Sequence, residues 1–202
     1  MNFAITGHGR SGTKYLARVL NMSPTWTVLH EPGGNQKKIE DIQPRFEVVD
    51  QYGEVNSYLR WSFKQLEVER RGVIIRDPRE IILSWINRNY YSEPELRLDD
   101  EKIGQLFKVH DEAFELVDRW ARAKPIMVIC FDWMVTEKCY LQDIAKYMGI
   151  DDLDLNDFDP EVKINRNPHH HFPTFHDLPD PWRRYCTTRY DWFRKKHQRY
   201  IP

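Results

Sequence analysis

"ITGHGRSGTKYL", residues 5–16, decides how this chain is read. It begins apolar, turns through Gly7, Gly9 and Gly12, and continues with helix-forming residues. A strand, a glycine turn and a helix, in that order, present successive backbone N–H groups to an anion. The helix N-terminus adds its partial positive charge. Glycine lets the backbone approach a phosphate closely. Ser11 and Thr13 add hydroxyls, Arg10 a guanidinium and Lys14 an ammonium. Gly7 and Gly12 have the spacing of a nucleoside-triphosphate loop. That loop continues with Lys then Ser/Thr, whereas the order here is Thr13 then Lys14. Three readings follow: an altered ATP site, an intact site for a different phosphate, or a tight turn.

Outward from the loop, four apolar runs read as strands: "NFAIT" (2–6), "TVLH" (27–30), "GVIIR" (72–76) and "IMVICF" (126–131). They are continuous rather than alternating, as in parallel strands covered on both faces. Helical patterns lie between them at 13–22, 55–70, 78–91, 99–122 and 137–148. Pro78 opens the third, and Thr136 and Gly149 suit an N-cap and a C-cap for the last. Strands alternating with helices predict an α/β fold, a P-loop-type doubly wound parallel sheet flanked by helices. The whole of 1–202 reads as a single domain. Its core is 1–150, and an irregular to helical segment, 151–202, covers the site. In such sheets ligands sit beyond the carboxyl ends of the strands. That edge collects the glycine loop, "HEP" with His30 and Glu31, and Arg76 at the end of its strand with Ser84 eight residues on. Arg76 and Ser84 make a second anion site, or Arg76 pairs with Asp77.

Composition narrows the function. Apolar residues make 41% and charged residues 30% of 202, which is globular. Thirty Lys and Arg face 31 Asp and Glu, so no global basic field favours nucleic acid. No apolar run approaches a membrane span, and the N-terminal one breaks at Gly7, unlike a signal peptide. Cys130, Cys139 and Cys186 form no Cys-x-x-Cys pair and are odd in number, as in a reduced, cytoplasmic protein. "DDLDLNDFDP" (151–160) lacks calcium-loop spacing. "HHHF" (169–172) cannot converge on one ion without distortion, so no metal is expected. Residues 163–202 carry nine Lys and Arg against three Asp, a solvated helix face or a surface for a polyanion.

"GRSGTKYL" resembles the P-K/R-S-G-T-T/S loop of the P-loop-type sulfotransferases. "RDPREIILSW" resembles their second motif, an Arg after a strand and a Ser eight residues on. "VICFDWMVTEKCYLQDIAKYMGI" is loosely similar to the family's strand–R-Y-E-D-L–helix element. The likeness spans most of residues 1–150. These enzymes move a sulfuryl group from 3′-phosphoadenosine 5′-phosphosulfate (PAPS) to a hydroxyl or amine, without a metal on the nucleotide. The resemblance implies that Gly9, Arg10, Ser11, Gly12, Thr13 and Lys14 bind the 5′-phosphosulfate. It likewise implies that Arg76 and Ser84 bind the 3′-phosphate, with Lys163 or Arg166 reaching it from the late segment. The family usually has a hydroxyl at the position of Lys14 and Lys at the position of Arg10. Arg does not readily give up a proton, so Arg10 is assigned charge stabilisation. Glu31 resembles the Glu of an "E-P" element in carbohydrate-type members. It is chosen as general base over His30, because a carboxylate in a water-poor cleft gains basicity. The partner expected is a small-molecule or glycan acceptor, with no nucleic acid and no membrane. The alternatives are a P-loop ATP-dependent kinase, for which Asp77 and Asp132 follow apolar strands, and a non-catalytic nucleotide-binding module.

Overall fold

The structure is a computed structural model, and residues 1–89, 100–156, 158 and 171–200 are described. Five strands form one parallel sheet in the order β2-β3-β1-β4-β5: β1 Asn2–Gly7, β2 Thr27–His30, β3 Tyr52–Val55, β4 Arg70–Ile75 and β5 Met127–Cys130. Their carboxyl ends share one edge, so the chain leaving Gly7, His30, Val55, Ile75 and Cys130 emerges there each time.

Side chains alternate across the sheet. On one face Phe3, Ile5, Val28, Val55, Ile74 and Ile129 pack against α1 (Thr13–Leu20) and α6 (Lys138–Met148). On the other, Ala4, Tyr52, Val73 and Ile75 meet α2 (Ile39–Val48), a 3-10 turn at Ser57–Trp61 and α4 (Asp100–Ala121). Fully burying a side chain such as Leu16 or Leu20 of α1 stabilises by about 2 kcal/mol. A third cluster joins α3 (Pro78–Asn89) and α4 to α7 (Asp180–His197) through Ile82, Ile86, Phe114, Trp182 and Cys186. Between β5 and α6 lies the short helix α5, Phe131–Thr136.

The structure corrects several expectations. No helix spans 55–70: β3 ends at Val55, the 3-10 turn follows, and bends lead to β4. Val55, Leu59, Phe63 and Leu66 are all buried, as their spacing asked. The backbone turns because the Asn56 side chain accepts from Tyr58 N at 2.8 Å while Asn56 N extends the ladder to Ile5 O. β3 is masked in the sequence by Gly53, which makes room for the Phe3 ring, and by Glu54, buried with Arg45 and Tyr52. α2 contains Pro44. β2 is an edge strand that buries Val28 while Thr27 and Leu29 are exposed, not a strand covered on both faces. Thr136 does not cap α6; its hydroxyl donates to Asp132 O inside α5. Gly149 does end α6, at φ 85°. Residues 90, 91 and 99, placed in helices by their pattern, lie outside the described residues.

Candidate active site

β1 delivers the chain into the turn His8–Gly12, and α1 begins at Thr13. Ser11 N donates to His8 O, and Leu16 N donates to Gly12 O. No side chain caps the helix. The amides of Gly9, Arg10, Gly12, Thr13 and Lys14 therefore make no hydrogen bond among the described residues. Ser11 Oγ is enclosed and unpartnered. Arg10 takes the left-handed φ of 73°, which costs a non-glycine residue about 1 kcal/mol. Gly12, at φ 93°, is fixed by a close approach: a Cβ there would lie 2.6 Å from the Phe131 ring of α5. A Cβ on Gly9 would meet nothing within 4 Å, so the turn is open on that side.

Three further side chains gather on this turn. Arg10 Nε donates to Ser84 Oγ of α3 at 3.1 Å. Arg76, just past β4, donates from Nη1 to the Arg10 carbonyl at 2.8 Å and stacks 4.0 Å over Phe131. Its Nη2 lies 3.7 Å from Glu80, and its Nε is buried without a partner. Arg88, one turn beyond Ser84, adds its field to Arg10. Burial lowers the pKa of Arg10 and Arg76 from the ordinary guanidinium value; Arg88 adds to the lowering at Arg10, and Glu80 opposes it at Arg76. Both remain cations, given how high that value is. Asp77, the alternative partner for Arg76, forms its ion pair with Arg79 at 2.6 Å. The residues expected at two anion sites are thus linked through Arg10.

The base candidates follow β2. Glu31 has φ 49°. Its Oε1 accepts from Ser57 Oγ at 2.6 Å and from Ser57 N at 3.3 Å, while Oε2 has no hydrogen-bond partner among the described residues. His30 Nε2 lies 3.2 Å from Thr13 Oγ1 and 3.7 Å from Glu31 Oε1. Burial lowers the His30 pKa; Glu31 opposes this, and Lys14 and Arg10 add to it. His30 is therefore neutral at neutral pH.

Beneath the loop lie two further histidines. His8 Nδ1 is 2.6 Å from Gly9 O, which can only accept, so that nitrogen carries the proton. His8 Nε2 then accepts from His110 Nδ1 of α4 at 3.1 Å. Burial holds both well below the usual histidine range, His110 at about 4, and the field of Arg60 lowers each further. This neutral pair braces the loop from below.

Gly9, Arg10, Ser11, Gly12, Thr13, Lys14, His30, Glu31, Arg76 and Ser84 all stand at this edge. Arg166 and Lys163 lie outside the described residues, as do His169 and His170. Sequence reasoning missed Ser57, Arg60, Arg88 and His110. Arg88 was within reach, since Ser84 and Arg88 are four apart on one helical face. Ser57 and Arg60 were hidden by the helical reading of their segment. Among the described residues no group of three or more His, Cys, Asp or Glu could hold a metal ion, and no helix is long and apolar enough to cross a membrane.

No protein-family model matches the chain, and no curated protein matches it. Among solved structures, the mouse sulfotransferase SULT7A1 complexed with PAP is similar over 76% of this chain and 60% of its own, at 19% identity and TM-score 0.49. A sulfotransferase from Alicyclobacillus acidocaldarius is similar over 98% of this chain and 94% of its own, at 14% identity and TM-score 0.61. That second likeness runs through nearly the whole of both chains and shows that this chain has a sulfotransferase-type α/β fold.

Proposed function

We propose that the protein transfers a sulfuryl group from PAPS to a hydroxyl or amine acceptor. One observation carries this reading. At the carboxyl edge of the sheet, five loop amides and Ser11 Oγ lack acceptors among the described residues, Arg10 and Arg76 meet in the turn with Lys14 just after it, and Glu31 stands at the same edge past β2. Unsatisfied donors and clustered cations are costly unless an anion meets them. PAPS fits, because it is anionic at both ends and supplies an activated sulfuryl group.

Gly9 to Lys14 would hold the 5′ end through the open side of the turn. Arg76, braced by Phe131, would face the 3′-phosphate. Ser84 would serve by fixing the Arg10 guanidinium. Glu31 Oε2 takes the acceptor's proton as the bond from acceptor oxygen to sulfur forms and the bond from sulfur to the phosphate oxygen breaks. The electron pair of the broken bond stays on that phosphate oxygen, where Arg10 and the loop amides meet the charge. Ser57 holds the Glu31 carboxylate in place through Oε1. His30 is the second candidate for the base.

We read 1–202 as one working unit, in which α7 braces α3, the helix of Ser84 and Arg88. Trp182 supports this, 5.8 Å from Trp85. Cys130, Cys139 and Cys186 form no disulfide among the described residues, which suits the proposed cytoplasmic setting. A sugar hydroxyl as acceptor rests on Glu31 within "HEP".

Thermal denaturation tests the reading, with adenosine 3′,5′-bisphosphate, ADP and ATP, each with and without Mg²⁺. A ligand of the folded state raises the melting temperature. A metal-independent rise with the bisphosphate, lost in Arg76→Ala, is expected. A rise confined to ATP with Mg²⁺ would replace sulfuryl transfer by a kinase reading.

A further inference from the structure

Arg60 is a cation that the donor site does not use. It lies in the 3-10 turn after β3 and is 8% exposed. Its Nη1 donates to the Ser57 carbonyl, its Nε is enclosed without a partner, and it forms no ion pair among the described residues. A guanidinium withdrawn from water without a counter-ion is unfavourable. Glu31 and Glu112 compensate it only through their fields. The positive field also reaches His8 and His110 beneath the loop.

The surroundings define a partner. Ser57 binds Glu31 through its amide and hydroxyl and Arg60 through its carbonyl, so base and cation are set by one residue. The Trp61 ring has the Arg60 guanidinium 5.1 Å from its centroid and the Lys37 ammonium 4.8 Å from it. An exposed lysine and a buried arginine thus both lie against the Trp61 ring. The backbone role of Arg60, accepting Trp120 Nε1 at 2.9 Å, needs no guanidinium.

We infer that the acceptor carries a carboxylate close to its reacting hydroxyl, bound by Arg60 with Lys37 and laid against Trp61. This rests on the sulfuryl-transfer reading. Charge-assisted bonds to a partly enclosed guanidinium favour the anionic acceptor roughly tenfold or more over a neutral one of the same shape.

Two matched pairs test it, with the protein saturated in adenosine 3′,5′-bisphosphate. They are methyl glucuronide against methyl glucoside, and 4-hydroxybenzoate against 4-hydroxybenzyl alcohol, with affinities from ligand-observed NMR. The expected result is tighter binding of the carboxylate in at least one pair. Arg60→Gln abolishes that preference and Arg60→Lys keeps part of it. If Arg60→Gln does not fold, Lys37→Gln at an exposed position carries the test, with a loss of roughly threefold expected. No preference in either pair, including no binding at all, overturns the inference, as does a preference that survives in the folded Arg60→Gln or, failing that, in Lys37→Gln. Bisphosphate binding is measured separately on the wild type. Binding without an anion preference sinks the inference alone, whereas its absence sinks the sulfuryl-transfer reading and the inference with it.

Discussion

Arg10 and Ser84 come from separate sequence motifs, and their contact gives a quantitative prediction. Read from the sequence, they serve different ends of the nucleotide, and replacing both should cost the sum of the single losses. In the structure Arg10 Nε donates to Ser84 Oγ at 3.1 Å, so Ser84 acts through Arg10. A hydrogen bond to a charged group contributes about 1.5–3 kcal/mol. Ser84 is only half-buried, so Ser84→Ala should cost about 1.5 kcal/mol, roughly tenfold in bisphosphate affinity. Arg10→Ala removes the cation itself and should cost about 3 kcal/mol, over a hundredfold. The double variant should then cost about 3 kcal/mol again, a coupling near 1.5 kcal/mol. Two complications cancel around the cycle. Alanine at position 10 keeps both the strain of φ 73° and the carbonyl that Arg76 holds. Calorimetric titration of adenosine 3′,5′-bisphosphate into the four proteins, without Mg²⁺ and at fixed salt, measures it. Losses that add to within about 0.4 kcal/mol would refute the connected network.

Glu31→Gln should lower kcat by roughly a hundredfold to ten-thousandfold while leaving bisphosphate affinity within about threefold, as rapid-mix turnover and titration would show. Gly12→Ala places a methyl on a left-handed residue 2.6 Å from the Phe131 ring, and chemical denaturation should read a loss of about 2–4 kcal/mol. Stability should fall on acidification below pH 6.5: unfolded His110 takes up its proton near that pH, the folded side chain only near pH 4, so the unfolded state binds more protons in between. The loss approaches about 3 kcal/mol by pH 4, and His110→Leu should flatten the slope in denaturant titrations at pH 7, 6 and 5. Arg60→Gln should raise the unfolding free energy by about 1 kcal/mol, because it removes a buried charge with no counter-ion among the described residues; a loss of more than about 1 kcal/mol would give Arg60 a structural role instead.

Four of the five strands were legible as apolar runs, the edge strands β2 and β5 as well as the central β1 and β4. β1 and β4 bury most of their length, and the continuous runs this requires stand out. β3 was not, since its pattern is broken by Gly53 and by a glutamate neutralised from another element. The following segment shows why periodicity misleads here. Four buried apolar residues satisfy helical spacing, yet one asparagine side chain bonded to Tyr58 N offers the backbone a competing turn. That error hid Ser57 and Arg60, the residues that hold Glu31 and flank it. The site residues that could be named were those carried by local motifs. Those contributed by packing, such as His110 from α4 against His8, leave no local signature.

The inverted order Thr13-Lys14 follows from what each side chain meets. The Thr13 hydroxyl is buried and lies 3.2 Å from His30, an imidazole kept neutral chiefly by burial, while Lys14 is exposed. In a nucleoside-triphosphate loop the lysine comes first and the hydroxyl that follows serves the metal. Here the hydroxyl comes first and is tied to the β2 edge, beside the proposed base. The lysine one residue on is left exposed to solvent. The positive charge inside the turn comes from Arg10 instead, fixed by Ser84 and by a backbone carbonyl held on Arg76. A loop that carries its cation within the turn and joins its hydroxyl to the base side suits transfer from an anionic donor by charge stabilisation. That arrangement favours the proposed site for a different phosphate compound over a damaged ATP loop.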